Sequence, residues 1–567
     1  MYDKKPWLKF YGDIPASIAY PRVTMYEALM QSVERNPETI AYDFMDYQST
    51  YRQFARDIDQ CAAALANLGL KQGDRMTIAL PTIPQGVIAF YAINKIGAVA
   101  SMIHPLSTAR EIAFYLNVSK SSYALILEDH YAKFKEVEKE TPLKTLIMTG
   151  AADALATAAG KPLPDEHADS MVKQWRRLMA ASYAPAPRSS MKPDDMAAIL
   201  YSGGTTGQPK GIMLSNYNFI SEGIMAAAFR QITHGDKNMV MVASLPIFHG
   251  FGLGICCNAM FISGATSILV PNFTPDSLAE IIKKKKPTAI SGVPTLYDAL
   301  NRSPILQEAD LSCLLSATVG ADTLPRTVKE KFEATVKSRG GNIQLVEGYG
   351  LTEAVTGIMV TPANAYRERS VGIPYPDIEA KIVKVGTQEV VPVGEEGELC
   401  ISGPAVMLGY LEQPEETANT LQRHADGKIW LHTGDIFSMS EEGFFYFKLR
   451  LKRMIKSSGM NVYPAQVEAV LYQHPDVRDA CVIGVPDEAQ VERVKAIVVL
   501  KDSSKGSPAM AEELIRHCRE NIIKWSCPRE VEFRESLPLT RVGKIAYTVL
   551  EQEEIAKLKA AGKYTGK

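Results

Sequence analysis

Apolar positions in the first half of the chain change period repeatedly. Over "YRQFARDIDQCAAALANLGL" they recur at helical spacing, and "RMTIAL" is then a short continuous run. A second helical stretch and the run "YALILED" repeat the alternation. Helices alternating with short apolar runs predict a layered α/β fold with mostly parallel sheets. The apolar stretch from Gly86, "GVIAFYAINKIGAVASMI", contains Asn94 and Lys95 and reads as a buried helix rather than a membrane span. Residues 151–190, rich in Ala, Pro and Asp, read as a surface excursion. "AAILYS" and "GIMLS" read as strands flanking a glycine-rich segment. The helix after them, "NYNFISEGIMAAAF", is capped by Ser215 or Asn216. "TPDSLAEII" predicts a helix with Thr274 as N-cap and Pro275 in its first turn. Lys283 to Lys286 then fall at its C-terminal end, where the helix dipole favours cations, and read as a solvated helix end.

From about Val371 the texture changes to short strands and tight turns: "AKIVKVG", "GELCISG", "KIWLHTGDIFSMS", "FFYFKLR". These predict a small antiparallel β subdomain. Past Arg450 a compact α/β pattern returns. Val467, Val470 and Leu471 lie at helical spacing in "PAQVEAVLYQHP". Strands "ACVIGV" and "VKAIVVL" and a helix over "AEELIRHCRENI" follow. We therefore expect a large N-terminal domain over 1–449, built of layered α/β subdomains plus the small β subdomain. A small α+β C-terminal domain takes 450–567, with the boundary in "LRLKRMIKSSG".

Composition narrows the function. The chain has 567 residues, 46% hydrophobic and 22% charged, with net charge −2. That is the profile of a globular protein of more than one domain. No basic arm or arginine stripe points to nucleic acid. The eight cysteines form no CxxC pair, which excludes a zinc-ribbon pattern and fits a reducing compartment. The N-terminus "MYDKKPWLKFYGD" lacks the apolar region of a signal peptide. The expected location is the cytoplasm.

The candidate chemistry centres on "YSGGTTGQPKG", Tyr201 to Gly211. The common phosphate loop needs GxxxxGK[ST], and no GK in this chain precedes Ser or Thr. Gly203, Gly204 and Gly207 can nevertheless turn backbone N–H groups inward as an anion nest. Thr205 and Thr206 add hydroxyl donors, and Lys210 adds a mobile positive charge. The plain alternative is a glycine-rich hairpin.

This segment resembles the phosphate loop of the adenylate-forming superfamily. The resemblance continues in order through "LPIFHGFGLG", "TVGADTLP", "EGYGLTE", "GELCISGPAVMLGY", "WLHTGD", "RLKRMIKSSGMNVYP" and "PLTRVGKI". The double glycine of "SGGTTG", the opening "PWLKFYGDIPASIAYP" and "SSGMNVYPAQVE" look most like bacterial medium- and long-chain fatty acyl-CoA synthetases. The resemblance implies two steps. A carboxylate first attacks the α-phosphate of MgATP, giving acyl-adenylate and pyrophosphate. After a rotation of the C-terminal domain, coenzyme A takes the acyl group and AMP leaves.

The roles below are those the resemblance implies. Ser202, Gly203, Gly204, Thr205, Thr206, Gly207 and Lys210 hold the phosphates. Tyr349 stacks on adenine, with Gly320, Ala321, Glu347 and Gly348 near its edge. Thr352 touches the α-phosphate, and Glu353 holds Mg²⁺. Asp435 accepts from the ribose hydroxyls, and Arg450 reaches the nucleotide. Lys544 bridges carboxylate and phosphate in the first step. Ser457, Ser458 and Gly459 line the coenzyme A path, and Lys452 is the hinge. Phe248, His249, Gly252 and Gly320 border the acyl pocket, with Phe251 and Gly254 beside them, the glycines leaving room for a chain. Out of this context Asp435 reads as a turn aspartate, Lys544 as an exposed turn lysine and His249 as a core histidine.

Two departures stand out. The hinge of relatives reads Asp-Arg-x-x-Asp, whereas here Leu449 precedes Arg450 and Arg453 replaces an acid, so Arg450 lacks a local acidic partner. The "IAYTVL" after Lys544 lacks the arginine common in relatives. Rival readings are a ligase for aromatic or dicarboxylic acids and a non-catalytic nucleotide-binding protein on the same fold. A long-chain substrate would partition from a membrane through transient surface contact.

Overall fold

The computed structural model describes residues 2–202, 209–234, 239–272, 274–362, 364–453, 455–457, 460–462, 464–487, 491–522, 526–539 and 545–562. The chain divides into two compact units. One comprises Met1–Ala380 with Ile401–Leu431, the other Lys381–Cys400 with His432–Lys567.

The first unit is layered α/β, built on two large sheets. An eight-stranded sheet runs Gly409–Tyr410, Lys210–Ser215, Met196–Ser202, Val99–Met102, Arg75–Ala79, Tyr123–Leu127, Thr145–Thr149, Val172–Gln174. It is parallel from Met196–Ser202 outward to Val172–Gln174. A nine-stranded sheet has a parallel centre: Leu345–Gly350, Ser316–Val319, Ala289–Gly292, Val240–Ala243, Thr266–Leu269 and Ile40–Phe44. Its edges are antiparallel: Gly357–Val360 with Ile373–Pro374 at one end and Tyr47–Thr50 at the other. The residues of the central parallel strands are mostly buried, as expected of strands covered on both faces.

Local chemistry sets the helix boundaries. Thr274 caps Pro275–Lys285 through a capping box with Ser277. Asn218 N–H donates to Ser215 Oγ at 3.1 Å, so Ser215 caps Asn216–His234. Pro84–Ile96 is buried over nearly its whole length. Its Asn94 accepts from Tyr26 N–H and donates to Asn216 Oδ1, which keeps a polar side chain satisfied inside the core. Among the described residues no helix is long and apolar enough to cross a membrane.

Two expectations change. The lysine run does close its helix, but Lys285 is not simply solvated. It bonds Asp43, buried on strand Ile40–Phe44, at 2.7 Å, and Asp46 at 2.7 Å. The 151–190 excursion carries Val172–Gln174, which completes the sheet edge, and Trp175, which is buried.

The predicted β texture appears as strands Glu379–Val383, Gly397–Ser402, Leu421–Arg423, Ile429–Met439 and Phe445–Arg450. The rest of the second unit is α+β. Val477–Asp487 and Val491–Leu500 form a long antiparallel pair, extended by Ile455–Ser457, Met460–Val462 and Glu530–Phe533. Residues alternate between its two faces. Val482, Val494, Ala496 and Val498 pack with helices Pro464–Leu471 and Pro508–Asn521. Cys481, Ile483, Ile497 and Val499 pack with Leu550 of helix Tyr547–Ala560. All eight cysteines are free thiols, and only Cys313 is not buried.

Candidate active site

In the first unit the site grows from strand ends. Met196–Ser202 and Lys210–Ser215 are antiparallel, and Ser202 is the register partner of Lys210. The pairing therefore holds together the two strand ends that flank the predicted phosphate loop. Gly203, Gly204, Thr205, Thr206 and Gly207 themselves lie outside the described residues. Gly409–Tyr410 pairs along the outer side of Lys210–Ser215, with Tyr410 opposite Ile212. Leu411 N–H donates to Gly211 O at 2.8 Å, and Leu408 N–H to Met213 O at 2.9 Å.

That pairing builds a charged cluster. Lys210 Nζ lies 4.7 Å from the Tyr410 ring centroid, a cation–π arrangement. Tyr410 O–H donates to Glu353 Oε1 at 2.9 Å. Lys210 is also ion-paired with Glu416 of helix Pro414–Thr420. Burial, then the neighbouring Glu353 carboxylate, push the Tyr410 phenol well above its ordinary range, so it stays protonated and donates. Met407 N–H donates to Glu353 O at 2.8 Å and anchors the acidic turn.

Glu353 sits in a one-turn 3₁₀ helix, Thr352–Ala354, directly after strand Leu345–Gly350. The next residue, Val355, has φ 65°, which a β-branched residue rarely adopts. Thr356 N–H bonds Ala354 O at 2.8 Å, closing a three-residue turn about Val355. A side chain at Gly250 would collide with Val355 O, so the two segments interlock there.

The remaining predicted nucleotide residues lie at the C-terminal ends of neighbouring parallel strands, where α/β sheets bind ligands. Val319 and Glu347 are register partners. Gly320 and Ala321 therefore follow one strand while Gly348 and Tyr349 continue the next. Ala321 holds a φ of 73°. An added Cβ at Gly320 would stand 3.3 Å from Gly348 O and 3.4 Å from the Phe251 ring, so Gly320, Gly348 and Phe251 are mutually close. Burial raises Glu347 to about 7, opposed by nearby Lys329 and a hydrogen bond from Tyr366.

Phe248 and His249 precede a π-helix, Phe251–Asn258. Phe248 packs 4.4 Å from the His104 ring, and His249 Nδ1 accepts from Phe251 N–H at 3.3 Å. The glycines do not leave the expected room. A Cβ at Gly252 would collide with the carbonyls of Leu245 and Pro246, and one at Gly254 would lie 2.8 Å from Thr356. They serve close backbone approach.

The second unit places Asp435, Arg450, Lys452 and Ser457. Asp435 is buried, its N–H donating to Thr433 Oγ1 at 3.1 Å. Glu398 accepts from Gly434 N–H at 3.0 Å and meets His432 Nδ1 at 3.0 Å, which stiffens the turn before it. Arg450 is opposite Asp435 across the strand pair and donates from Nε at 2.9 Å. Arg450 thus has an acidic partner, supplied by strand pairing rather than by its sequence neighbours. Arg453 finds Glu468. Lys452 falls in the 3₁₀ turn Leu451–Arg453, and Ser457 is a buried strand residue. Ser458, Gly459 and Lys544 lie outside the described residues.

Two residues of the cluster were not singled out from sequence. Tyr410 ends the quoted "GELCISGPAVMLGY" motif, which was its available signal. Glu416 had none, because its meaning comes only from strand pairing. As a test of fit for a divalent metal, Glu353 offers carboxylate oxygen held in place by Tyr410 O–H, and Thr352 offers a hydroxyl. Such hard oxygen donors suit Mg²⁺.

A lysine that follows a glycine- and hydroxyl-rich sequence, set beside a turn carboxylate at the ends of parallel strands, is what a nucleotide-binding α/β enzyme would present. The comparisons make this specific. Residues 29–411 match the family described as AMP-binding enzyme, and 466–544 match the AMP-binding enzyme C-terminal domain. The chain belongs to the AMP-binding enzyme family. It is similar to the long-chain-fatty-acid–CoA ligase of Bacillus subtilis, with 36% identity over 98% of this chain and 99% of that one. The enzyme of that name from Escherichia coli O6:H1 is 35% identical over the same shares. Among solved structures, an ATP-bound RpMatB–BxBclM chimera aligns with TM-score 0.82 and 25% identity over 94% of this chain and 99% of that one. A benzoate CoA ligase from Burkholderia xenovorans aligns with TM-score 0.79 and 25% identity, covering 93% of this chain and all of that one.

Proposed function

We propose that this protein is an ATP-dependent acid–CoA ligase acting on medium- or long-chain fatty acids. It forms an acyl-adenylate with release of pyrophosphate, then an acyl-CoA thioester with release of AMP. The observation that carries this reading is the cluster in which Tyr410 joins the Lys210 ammonium to the Glu353 carboxylate. The full-length similarity to two long-chain-fatty-acid–CoA ligases supports the substrate.

A carboxylate is a poor acylating agent, and activation gives it a phosphate leaving group. Two anions must meet, so the protein's contribution is positioning and charge neutralisation. In this reading Ser202, residues 203–207 and Lys210 cradle the β- and γ-phosphates. Tyr349 stacks on adenine, and Gly320, Ala321, Glu347 and Gly348 border it. Asp435 and Arg450 take the ribose side. Thr352 and Glu353 are the residues that would hold Mg²⁺, which supplies further charge neutralisation when bound. Phe248, His249 and Gly252 border the acyl carboxylate. Residues 1–449 act as the adenylation domain and 450–567 as the mobile domain, hinged at Lys452. That domain brings Lys544 to the first step and Ser457, Ser458 and Gly459 to the coenzyme A step.

The test is pyrophosphate release across straight-chain, aromatic and dicarboxylic acids, with and without coenzyme A. Release with C6–C16 acids, stimulated by coenzyme A, is expected. The similarity to a benzoate CoA ligase supports the second reading, and a profile peaking on benzoates would establish it instead.

A further inference from the structure

The reaction leaves one member of the charged cluster without a task. Glu416 sits in the first turn of Pro414–Thr420. Packing fixes that helix against the strand beside Lys210. Tyr410 N–H donates to Thr417 Oγ1 at 2.9 Å, and Thr417 Oγ1 donates to Gln413 O at 2.8 Å. Gly409, at φ 142°, leaves space for Thr417, since a Cβ there would lie 2.7 Å from its methyl. The carboxylate is thus presented by a braced helix rather than by a wandering loop.

The Lys210 side chain is only 14% exposed and that of Glu416 39%. An ammonium that far out of water needs a counter-charge, and the face of Tyr410 alone supplies little. A nucleoside triphosphate offers the same ammonium several negative oxygens. The Glu416 carboxylate and a phosphate compete for the same ammonium and repel each other beside it, so nucleotide binding works against the pair. The apparent affinity is then lowered by the fraction of protein in which Lys210 is engaged.

We propose that Glu416 is a resident counter-ion for Lys210, a positioning residue that keeps the ammonium over Tyr410 in the nucleotide-free protein and yields it to the triphosphate. The inference rests on the assignment of Lys210 to the phosphates. It predicts that the pair tunes nucleotide affinity without entering the chemistry of the acid.

Calorimetric titration of MgATP into the full-length protein, with acid and coenzyme A omitted, reads this directly. Glu416→Gln should tighten binding about two- to fivefold, the worth of one partly exposed ion pair. Lys210→Met should weaken it, and Glu416→Gln added to Lys210→Met should change nothing further. If Lys210→Met weakens binding but Glu416→Gln alone does not tighten it, the counter-ion role is wrong and the phosphate assignment stands. If Glu416→Gln tightens binding equally without Lys210, the effect is plain removal of negative charge and the positioning role is overturned. If Lys210→Met leaves binding untouched, the phosphate assignment falls and this inference with it. Both replacements approximate the native side-chain length, and matching thermal melts would establish that the fold is retained.

Discussion

Glu347 is a carboxyl that changes charge near neutrality while most of it is buried. Desolvation raises it to about 7, and Oε2 has no hydrogen-bond partner. A folded-state value above the unfolded one means that the native protein holds the proton longer. Stability from this group is therefore fully present below about pH 4.5 and is lost as pH rises to about 7. Glu347→Gln should flatten the fall in melting temperature between pH 5 and 8, with a gain of order 1–2 kcal/mol at pH 8. An equal slope in the variant would mean that another group dominates. Some single-residue facts were readable in the sequence because they are local. Thr274 caps its helix because Ser277 is three residues on, and Ser215 does the same for Asn218. The partner of Arg450 was not readable, since Asp435 reaches it across a strand pair. Glu416 escaped for the same reason.

Among the elements, the π-helix Phe251–Asn258 shows how one pattern admits two meanings. Glycines beside a proposed acyl pocket can mean open space or close contact. Here they mean contact, because Gly250, Gly252 and Gly254 abut backbone carbonyls or the Val355–Thr356 turn. Gly252→Ala should cost more than about 3 kcal/mol, or prevent folding, through overpacking against carbonyls that cannot move aside. Gly357→Ala meets nothing nearer than the Tyr375 hydroxyl at 3.4 Å and should cost under about 1 kcal/mol. Urea unfolding of both variants checks the contrast, and similar costs would show that the π-helix region can relax. Long alternating segments such as Val477–Asp487 were legible because many residues vote for one period. Val172–Gln174 was not, because three residues inside an Ala- and Pro-rich stretch carry too little pattern.

On the scale of the molecule, the alternation of helices and apolar runs already specified layered sheets, while the placement of each unit's boundary depends on contacts that no local pattern encodes. The second unit has its own lock. Arg453 joins the turn Leu451–Arg453 to Glu468 of one helix and lies 4.8 Å from the Tyr547 ring of another. Arg453→Ala should weaken that unit by about 1–3 kcal/mol. Hydrogen exchange should then quicken in peptides from Val477–Asp487 and stay unchanged in those from the nine-stranded sheet. Acceleration in both would mean that the two units unfold together. Lys544→Ala should lose pyrophosphate release yet still convert a preformed acyl-adenylate to the thioester. Equal loss of both half-reactions would refute separate roles for the two steps.

The thiol inventory has a practical side. Seven of the eight cysteines are buried, leaving Cys313 alone partly open to solvent, just before strand Ser316–Val319 of the first unit. A maleimide dye offered to the native protein should therefore settle at one place without any prior removal of cysteines. A second thiol introduced on the exposed surface of Pro508–Asn521 would complete a donor–acceptor pair, so a single added cysteine would turn the protein into a single-molecule ruler that reads whether the proposed rotation occurs.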